Sequence, residues 1–306
     1  MNERETFTCG DYTLALSDDG TAEIVGYRGA DEGLTLPEEL DGRRVSAVGC
    51  EAFRNCDNLR SVNIPDGIIS IDERAFAGCT GLRSVSIPAS VIAIADRAFW
   101  NCPNLTEFLV SPENPAYKSI DGVLFSTADK CLMAYPRGLS AETYEVPQGI
   151  EIIGRDAFYH CLALRNVSLP DSLTAIGEAA FAECENLESI RIPGRVTAIA
   201  DRTFRGCDKL SSVILPDSLT AIGNKAFWRC TSLKEISLPD GLTSIGAEAF
   251  EGCSSLIVID IPDSVESIGG NVFEKCDRLW DTIVGKWSAA EKYCIMNGLF
   301  YSCRES

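Results

Sequence analysis

The sequence predicts an α/β repeat solenoid: a right-handed superhelix of 23-residue units whose strands form one parallel sheet, with short helical turns behind it and a cap at each end. Three observations predict it. Phenylalanine recurs at Phe53, Phe76 and Phe99, and again at Phe158, Phe181, Phe204, Phe227, Phe250 and Phe273, with a spacing of 23 within each run. A cysteine follows three residues behind each of them, from Cys56 to Cys276, and a leucine three further on, from Leu59 to Leu279. Prolines Pro65, Pro88, Pro147, Pro170, Pro193, Pro216, Pro239 and Pro262 close the same register. Chance does not keep four residue types in phase over so many units, and fixed-period self-similarity marks a stacked array.

Read through one unit, Cys79 to Asn101, the segment Leu82, Val85, Ile87 has the spacing L-x-x-V-x-I and ends at Pro88. That is the strand pattern of a leucine-rich repeat, whose periods run from about 20 to 29 residues. A second apolar stretch follows the turn and ends in Ile-Gly or Ile-Ala, as at Ile94-Ala95, Ile176-Gly177 and Ile245-Gly246. The place after Ile also accepts Asp72, so it demands small size more than a positive φ angle. The closing A-F-x-x-C segment reads as one or two helical turns, with acids at its start (Asp72, Asp96, Asp156, Glu178, Asp201) where a helix dipole favours them. No unit can bury its apolar residues alone, whereas stacking at about 4.8 Å piles equivalent Leu, Val, Ile and Phe into ladders.

The whole chain, 1–306, reads as a single domain of about ten or eleven units. An amino-terminal hairpin cap is expected over 1–36, repeats over 37–110, a hairpin-like insertion over 111–140, repeats again over 141–284, and a carboxyl-terminal cap over 285–306. Phe99 and Phe158 are 59 positions apart instead of 23, which locates the insertion. Its runs Val123-Leu124-Phe125 and Cys131 to Tyr135, parted by Ser-Thr-Ala-Asp-Lys, suggest the hairpin. AAEKYCIMNGLFYSC reads as a short helix and a final strand.

Composition narrows the function classes. With 45% hydrophobic and 24% charged residues the chain can bury a large core. Its 27 basic and 45 acidic residues leave a net charge of -18, which repels phosphate backbones and anionic headgroups, so no nucleic-acid partner is expected. No apolar run is long enough to insert across a membrane. The opening MNERETFTCG lacks a basic stretch followed by an apolar core, so the sequence as given reads as cytoplasmic; a chain whose signal peptide had been removed would read the same and belong at the cell surface or outside it.

Sites of chemistry are sparse. The 14 cysteines contain no CxxC pair, and nine of them are repeat residues, so they read as buried reduced thiols rather than metal ligands or cofactor holders. Stacked thiols favour a reducing compartment. The one histidine, His160, falls in a variable slot shared with Gly78, Asn101, Glu183 and Arg229, so it reads as a solvated surface residue rather than the base of a nucleophilic site. No catalytic residue, cofactor or metal is expected. The outward places of the strands, two and four after each leucine, are the candidate partner-binding surface: Ser61, Asn63, Ser84, Ser86, Asn166, Ser168, Ser189, Arg191, Glu235, Ser237, Asp260 and Asp281. Trp100, Tyr159 and Trp228 are candidate exposed aromatics. Carboxylates on adjacent strands could stand at glycosidase-like separation, but nothing supplies the enclosed pocket that such chemistry requires.

The phrases IPDGIISIDERAFAGCTGLRSVSIP and LPDSLTAIGNKAFWRCTSLKEISLP resemble the BspA-like, or Treponema-type, leucine-rich-repeat family. DGTAEIVGYRG, YKSIDGVLF and SAAEKYCIMNGLFY are similar to its amino-terminal unit, mid-array insertion and closing segment. The resemblance implies a non-catalytic protein-binding module, adhesin-like, whose ligand is a protein such as a host extracellular protein, recognised by the solenoid face, the insertion or both. Two further readings stand beside it: an intracellular scaffold or regulator that binds a bacterial protein, and a carbohydrate-binding or glycoside-processing protein.

Overall fold

The computed structural model describes residues 5–304, so the outermost parts of the two expected caps, 1–4 and 305–306, lie outside the described residues. The chain divides into two compact bodies, Met1–Leu139 and Ser140–Ser306, each a β-solenoid whose turns advance by 23 residues.

In the first body each turn supplies two short strands to two ladders. Strands Gly33–Thr35, Ser61–Asn63, Ser84–Ile87 and Glu107–Val110 pair in parallel, with Ser61 opposite Ser84, Val62 opposite Val85 and Asn63 opposite Ser86. The second ladder begins as an antiparallel meander, Thr6–Cys9, Tyr12–Leu16 and Ala22–Tyr27, and continues in parallel through Arg43–Val48, Ser70–Ile71 and Ala93–Ile94. The insertion grows from a further turn. Asn114, 23 residues after Val91, is buried and donates through Nδ2 to Val91 O at 2.9 Å, while its Oδ1 accepts from Ala116 and Tyr117 N–H. The chain then folds into three antiparallel strands, Tyr117–Ile120, Val123–Ser126 and Cys131–Ala134.

In the second body the strand ladder runs through Thr143–Glu145, Asn166–Ser168, Ser189–Arg191 and Ser212–Ile214. Residues 232–238 then carry no strand, and pairing resumes over Val258–Asp260, Asp281–Val284 and Tyr301–Cys303. Between Asn166–Ser168 and Ser189–Arg191 only Asn166 and Ser189 are registered partners. Within this body pairing fails where leucine precedes the proline, although in the first body Leu36, before Pro37, still donates to Asn63 O at 3.0 Å. Ile192 N–H reaches Ile214 O at 2.9 Å and Ile261 N–H reaches Ile283 O at 2.9 Å, whereas Leu169, Leu215 and Leu238 are half-buried and their amides make no such bond to the next turn. A β-branched residue holds the extended conformation that the ladder needs, and leucine restricts it less. The helix Ala289–Asn297 closes this body, with Ser288 accepting from Glu291 N–H and Gly298 at φ 65.

The expected helical turns over A-F-x-x-C form as tight turns, because alternate amides point to the next unit. Ala75 and Ala77 N–H donate within the segment, to Asp72 O at 3.1 Å and Arg74 O at 2.9 Å. Phe76 and Gly78 N–H donate across, to Ala98 O and Trp100 O, both at 2.8 Å. An α-helix would consume both sets internally. The geometry needs two left-handed residues per turn, such as Arg74 and Gly78, Arg97 and Asn101, Asp156 and His160, or Lys225 and Arg229.

This turn ladder carries the core. Phe158, Phe181, Phe204, Phe227 and Phe250 are fully buried, and successive rings stack near-parallel at 4.8 to 5.5 Å. Aromatic side chains finish each stack: Tyr27 on Phe53 at 5.1 Å and Phe108 edge-on to Phe99 at 5.1 Å in the first body, Tyr144 on Phe158 at 6.0 Å and Tyr293 edge-on to Phe273 at 6.2 Å in the second. Beside the rings the thiols form a row of donors, with Cys184 Sγ 2.9 Å from Phe158 O and Cys230 Sγ 3.2 Å from Phe204 O. Burial pushes the Cys276 thiol up to about 12 and Cys230 well above the ordinary thiol range. The small-residue slot after Ile has the cause the sequence suggests: Gly246 has no positive φ, and a Cβ there would lie 2.5 Å from Asn224 N.

Candidate functional site

Alternation in the strands decides which side chains face out. Val62, Val85, Val167 and Ile190 are buried, and their flanking residues turn away from the core. In the first body Ser61 and Asn63 are exposed and Ser84 and Ser86 half-exposed, and the register carries these rows on to Glu107 and Leu109. In the second body Asn166, Ser168, Arg191, Glu235, Ser237 and Asp260 are exposed, while Ser189 and Asp281 are half-buried. Ile214, 50% exposed, stands beside Arg191.

Local bonds sort these residues further. Ser189 Oγ and Asn166 Oδ1 are 2.9 Å apart, across the point where pairing ends. Beyond it opens a shallow cleft of about 270 Å³ lined by Asn166, Ser168, Asp171, Ser189 and Arg191. At the carboxyl-terminal end Arg304 lies on Asp260 and Asp263, both at 2.5 Å, and Ser302 donates to Asp281 at 2.9 Å. The acids picked out by the sequence are therefore tied into the cap, and Glu235 sits alone in the stretch without a strand.

The three aromatics belong to the turn ladder, not to the strand face. Trp228 is half-buried with Arg205 over its ring at 4.9 Å and Arg229 at 5.3 Å, so it acts as the centre of a stacked cation–aromatic cluster. Tyr159 is half-buried and meets His160 edge-on at 6.0 Å. Trp100 is half-buried too, and its carbonyl accepts from Gly78 N–H. His160 occupies a left-handed position at φ 56. Sequence reasoning passed over the most exposed aromatics, Trp280, Trp287 and Phe300, at 60%, 87% and 69%. Trp280 falls in the slot after the strand leucine that Arg60, Arg83 and Lys234 fill elsewhere, and that departure was the available signal.

Among the described residues no group of three or more His, Cys, Asp or Glu is placed to hold a metal ion, and no helix is long and apolar enough to cross a membrane.

The model of the BspA type leucine rich repeat region matches residues 44–133 and 151–280, in six copies. The chain belongs to this family. No curated protein matches it significantly. Among solved structures, a leucine-rich cell surface protein of Faecalibacterium prausnitzii A2-165 is 23% identical with a TM-score of 0.55, over 96% of this chain and 98% of that one. The pneumococcal vaccine antigen PcpA is 15% identical with a TM-score of 0.55, over 100% of both. At these identities the likeness is one of fold. BspA-type proteins are leucine-rich-repeat proteins, a kind that is generally non-catalytic and associated with protein binding.

Proposed function

We propose that this BspA-type protein is a non-catalytic, adhesin-like module that binds a protein ligand, such as a host extracellular protein, through the outward rows of its strands. The observation that carries the reading is a division of labour: the inward rows are locked by packing, while Ser61, Asn63, Ser168, Arg191 and Ser237 face solvent with no core duty. Extended solenoid sheets lend themselves to broad contacts of this kind. The Faecalibacterium protein of the same fold is described as a cell surface protein, which agrees with an adhesin role. The free cysteines, among them exposed Cys50, favour the second reading, a scaffold in a reducing compartment.

Binding to a panel of immobilised plasma and matrix proteins tests the proposal. Ser86→Arg with Ser189→Glu is expected to weaken the ligand found by about tenfold or more without moving Tm. Unchanged affinity would sink the strand-face reading and move the contact to the 111–140 insertion. A panel without any ligand, with capture only of cytoplasmic bacterial proteins, would replace the adhesin role by the scaffold role.

A further inference from the structure

The second ladder of the first body presents a surface unlike anything on the strand face. Glu23, Ala47, Ser70 and Ala93 are registered side by side, and the next row, Ile24, Val48, Ile71 and Ile94, is buried. The outward row is thus a floor of mostly small residues. Along its margin stand Leu16, Ile69 and Ile92, at 41%, 48% and 57% exposure. Ile92 N–H donates to Ile69 O at 2.9 Å, so the two isoleucines are neighbours in the ladder.

The corresponding places in the second body hold threonine or glutamate, and three of the threonines have a structural task. Thr174, Thr220 and Thr243 each donate through Oγ1 to the carbonyl one turn back, at 3.1, 3.1 and 2.9 Å. Isoleucine cannot make that bond, so the first body gives up a hydrogen bond twice in succession and exposes apolar surface in return. Packing does not call for the exchange, since both side chains point to solvent.

A cavity of about 410 Å³ opens around Leu16, Ala47 and Ile69; its rim carries Asp18, Asp19 and Asp72, buried Glu23 lies in its wall, and no lysine or arginine lines it. Charge and shape together restrict what can fill it. A purely apolar partner would strip water from carboxylates without compensating them, and an acidic one would be repelled. A lysine or arginine side chain satisfies both halves, because its methylene stem can lie on leucine and isoleucine while its head stays among the acids.

We propose that this cavity seats a lysine or arginine of an apolar segment in a protein partner, with the stem on Leu16, Ala47 and Ile69, the cation among Asp18, Asp19 and Asp72, and a neighbouring apolar side chain on Ile92. The surface is separate from the strand face, so it stands or falls independently of the adhesin reading. The net charge of -18 adds long-range attraction for such a segment, and the apolar floor supplies the part that salt does not screen.

The test is titration of the ¹⁵N-labelled full chain with acetyl-Leu-Lys-Leu-Lys-amide, followed by amide chemical shifts, with acetyl-Leu-Glu-Leu-Glu-amide as control. Saturable shifts confined to residues 16–23, 46–49, 69–72 and 92–93 are expected for the lysine peptide alone. Ile69→Ser, and separately Asp18→Asn with Asp72→Asn, should each weaken it about tenfold. Asp217→Asn with Asp240→Asn removes the same charge in the second body and should leave the affinity unchanged. The proposal is overturned by shifts scattered over the acidic surface, by equal loss in both double variants, by an unaffected Ile69→Ser, or by no saturable shift at millimolar peptide.

Discussion

Within the second body the turn ladder and the strand ladder are built from the same 23-residue units, yet one is continuous and the other is not. Phe158, Phe181, Phe204, Phe227 and Phe250 each donate to the following unit at 2.7 to 3.0 Å without a gap. On the strand side the pairing narrows to one residue pair at Asn166 and Ser189 and is absent over 232–238. The difference teaches where the array is held. Rings, thiols and cross-unit amides fix the turn side in every unit, so the strand side can lose bonds and vary its surface without loss of the fold.

The largest expected effect comes from attacking the continuous side. Phe204 is fully buried between Phe181 and Phe227, at 5.5 and 5.4 Å. Phe204→Ala should lower stability by about 3 to 5 kcal/mol, whereas Ile214→Ser on the strand face should change it by less than about 0.5 kcal/mol. Thermal melts giving equal losses would erase the distinction.

The thiol row adds a dependence on pH. Unfolding frees the thiols to ionise near their ordinary value of about 8.5, while in the folded chain burial holds Cys276 up to about 12. The unfolded chain then binds fewer protons above about pH 8.5, so stability is full below that value and falls as pH rises toward 12. Urea midpoints measured from pH 7 to 10 should decline, and labelling at pH 8 should modify exposed Cys50 while Cys207, Cys230 and Cys253 react only on unfolding. Ready labelling of those three in the native state would count against a closed ladder.

Smaller effects sharpen the comparison. Ala179 sits at φ 54 in the turn ladder, where a Cβ costs energy that glycine avoids. Ala179→Gly should stabilise by roughly 0.5 to 1 kcal/mol in denaturant melts, net of glycine's greater flexibility when unfolded; a loss would mean that the left-handed rows are not strained. Leu238→Ile should extend the strand ladder and gain a few tenths of a kcal/mol, visible as slowed exchange of the residue 238 amide. No change there would show that the residue before proline does not govern the gap.

Much of the fold is legible in the sequence, because ladder residues must recur: Phe204, Cys207 and Leu210 announce their unit wherever the register is read. The small slot at Gly246 is legible for the same reason. The left-handed rows are harder to see. Arg74, Glu183 and Lys275 occupy conformations that they seldom choose, and Gly78, Gly206 and Gly252, with Asn55, Asn101 and Asn271, hint at the requirement. The strand Tyr117–Ile120 hides in a polar stretch, and its neighbour Asn114 is placed by hydrogen bonds rather than by hydrophobic pattern. The gap at 232–238 is nearly invisible, since LKEISLP differs from its paired counterparts by little more than leucine before proline. Of the candidate surface, alternation locates the outward rows, but the tie of Arg304 to Asp260 joins residues 44 positions apart and has no periodic signal. The stacking of Trp228 on two arginines depends on the left-handed turn that was itself unseen.

Native-state hydrogen exchange on the second body tests the central claim most directly. If the turn side holds the array, the amides of Phe181, Phe204, Phe227 and Phe250 open only with global unfolding, while those of Leu215 and Leu238 exchange by local fluctuation orders of magnitude faster. Equal protection of both sets, or faster exchange of the phenylalanine amides, would contradict it.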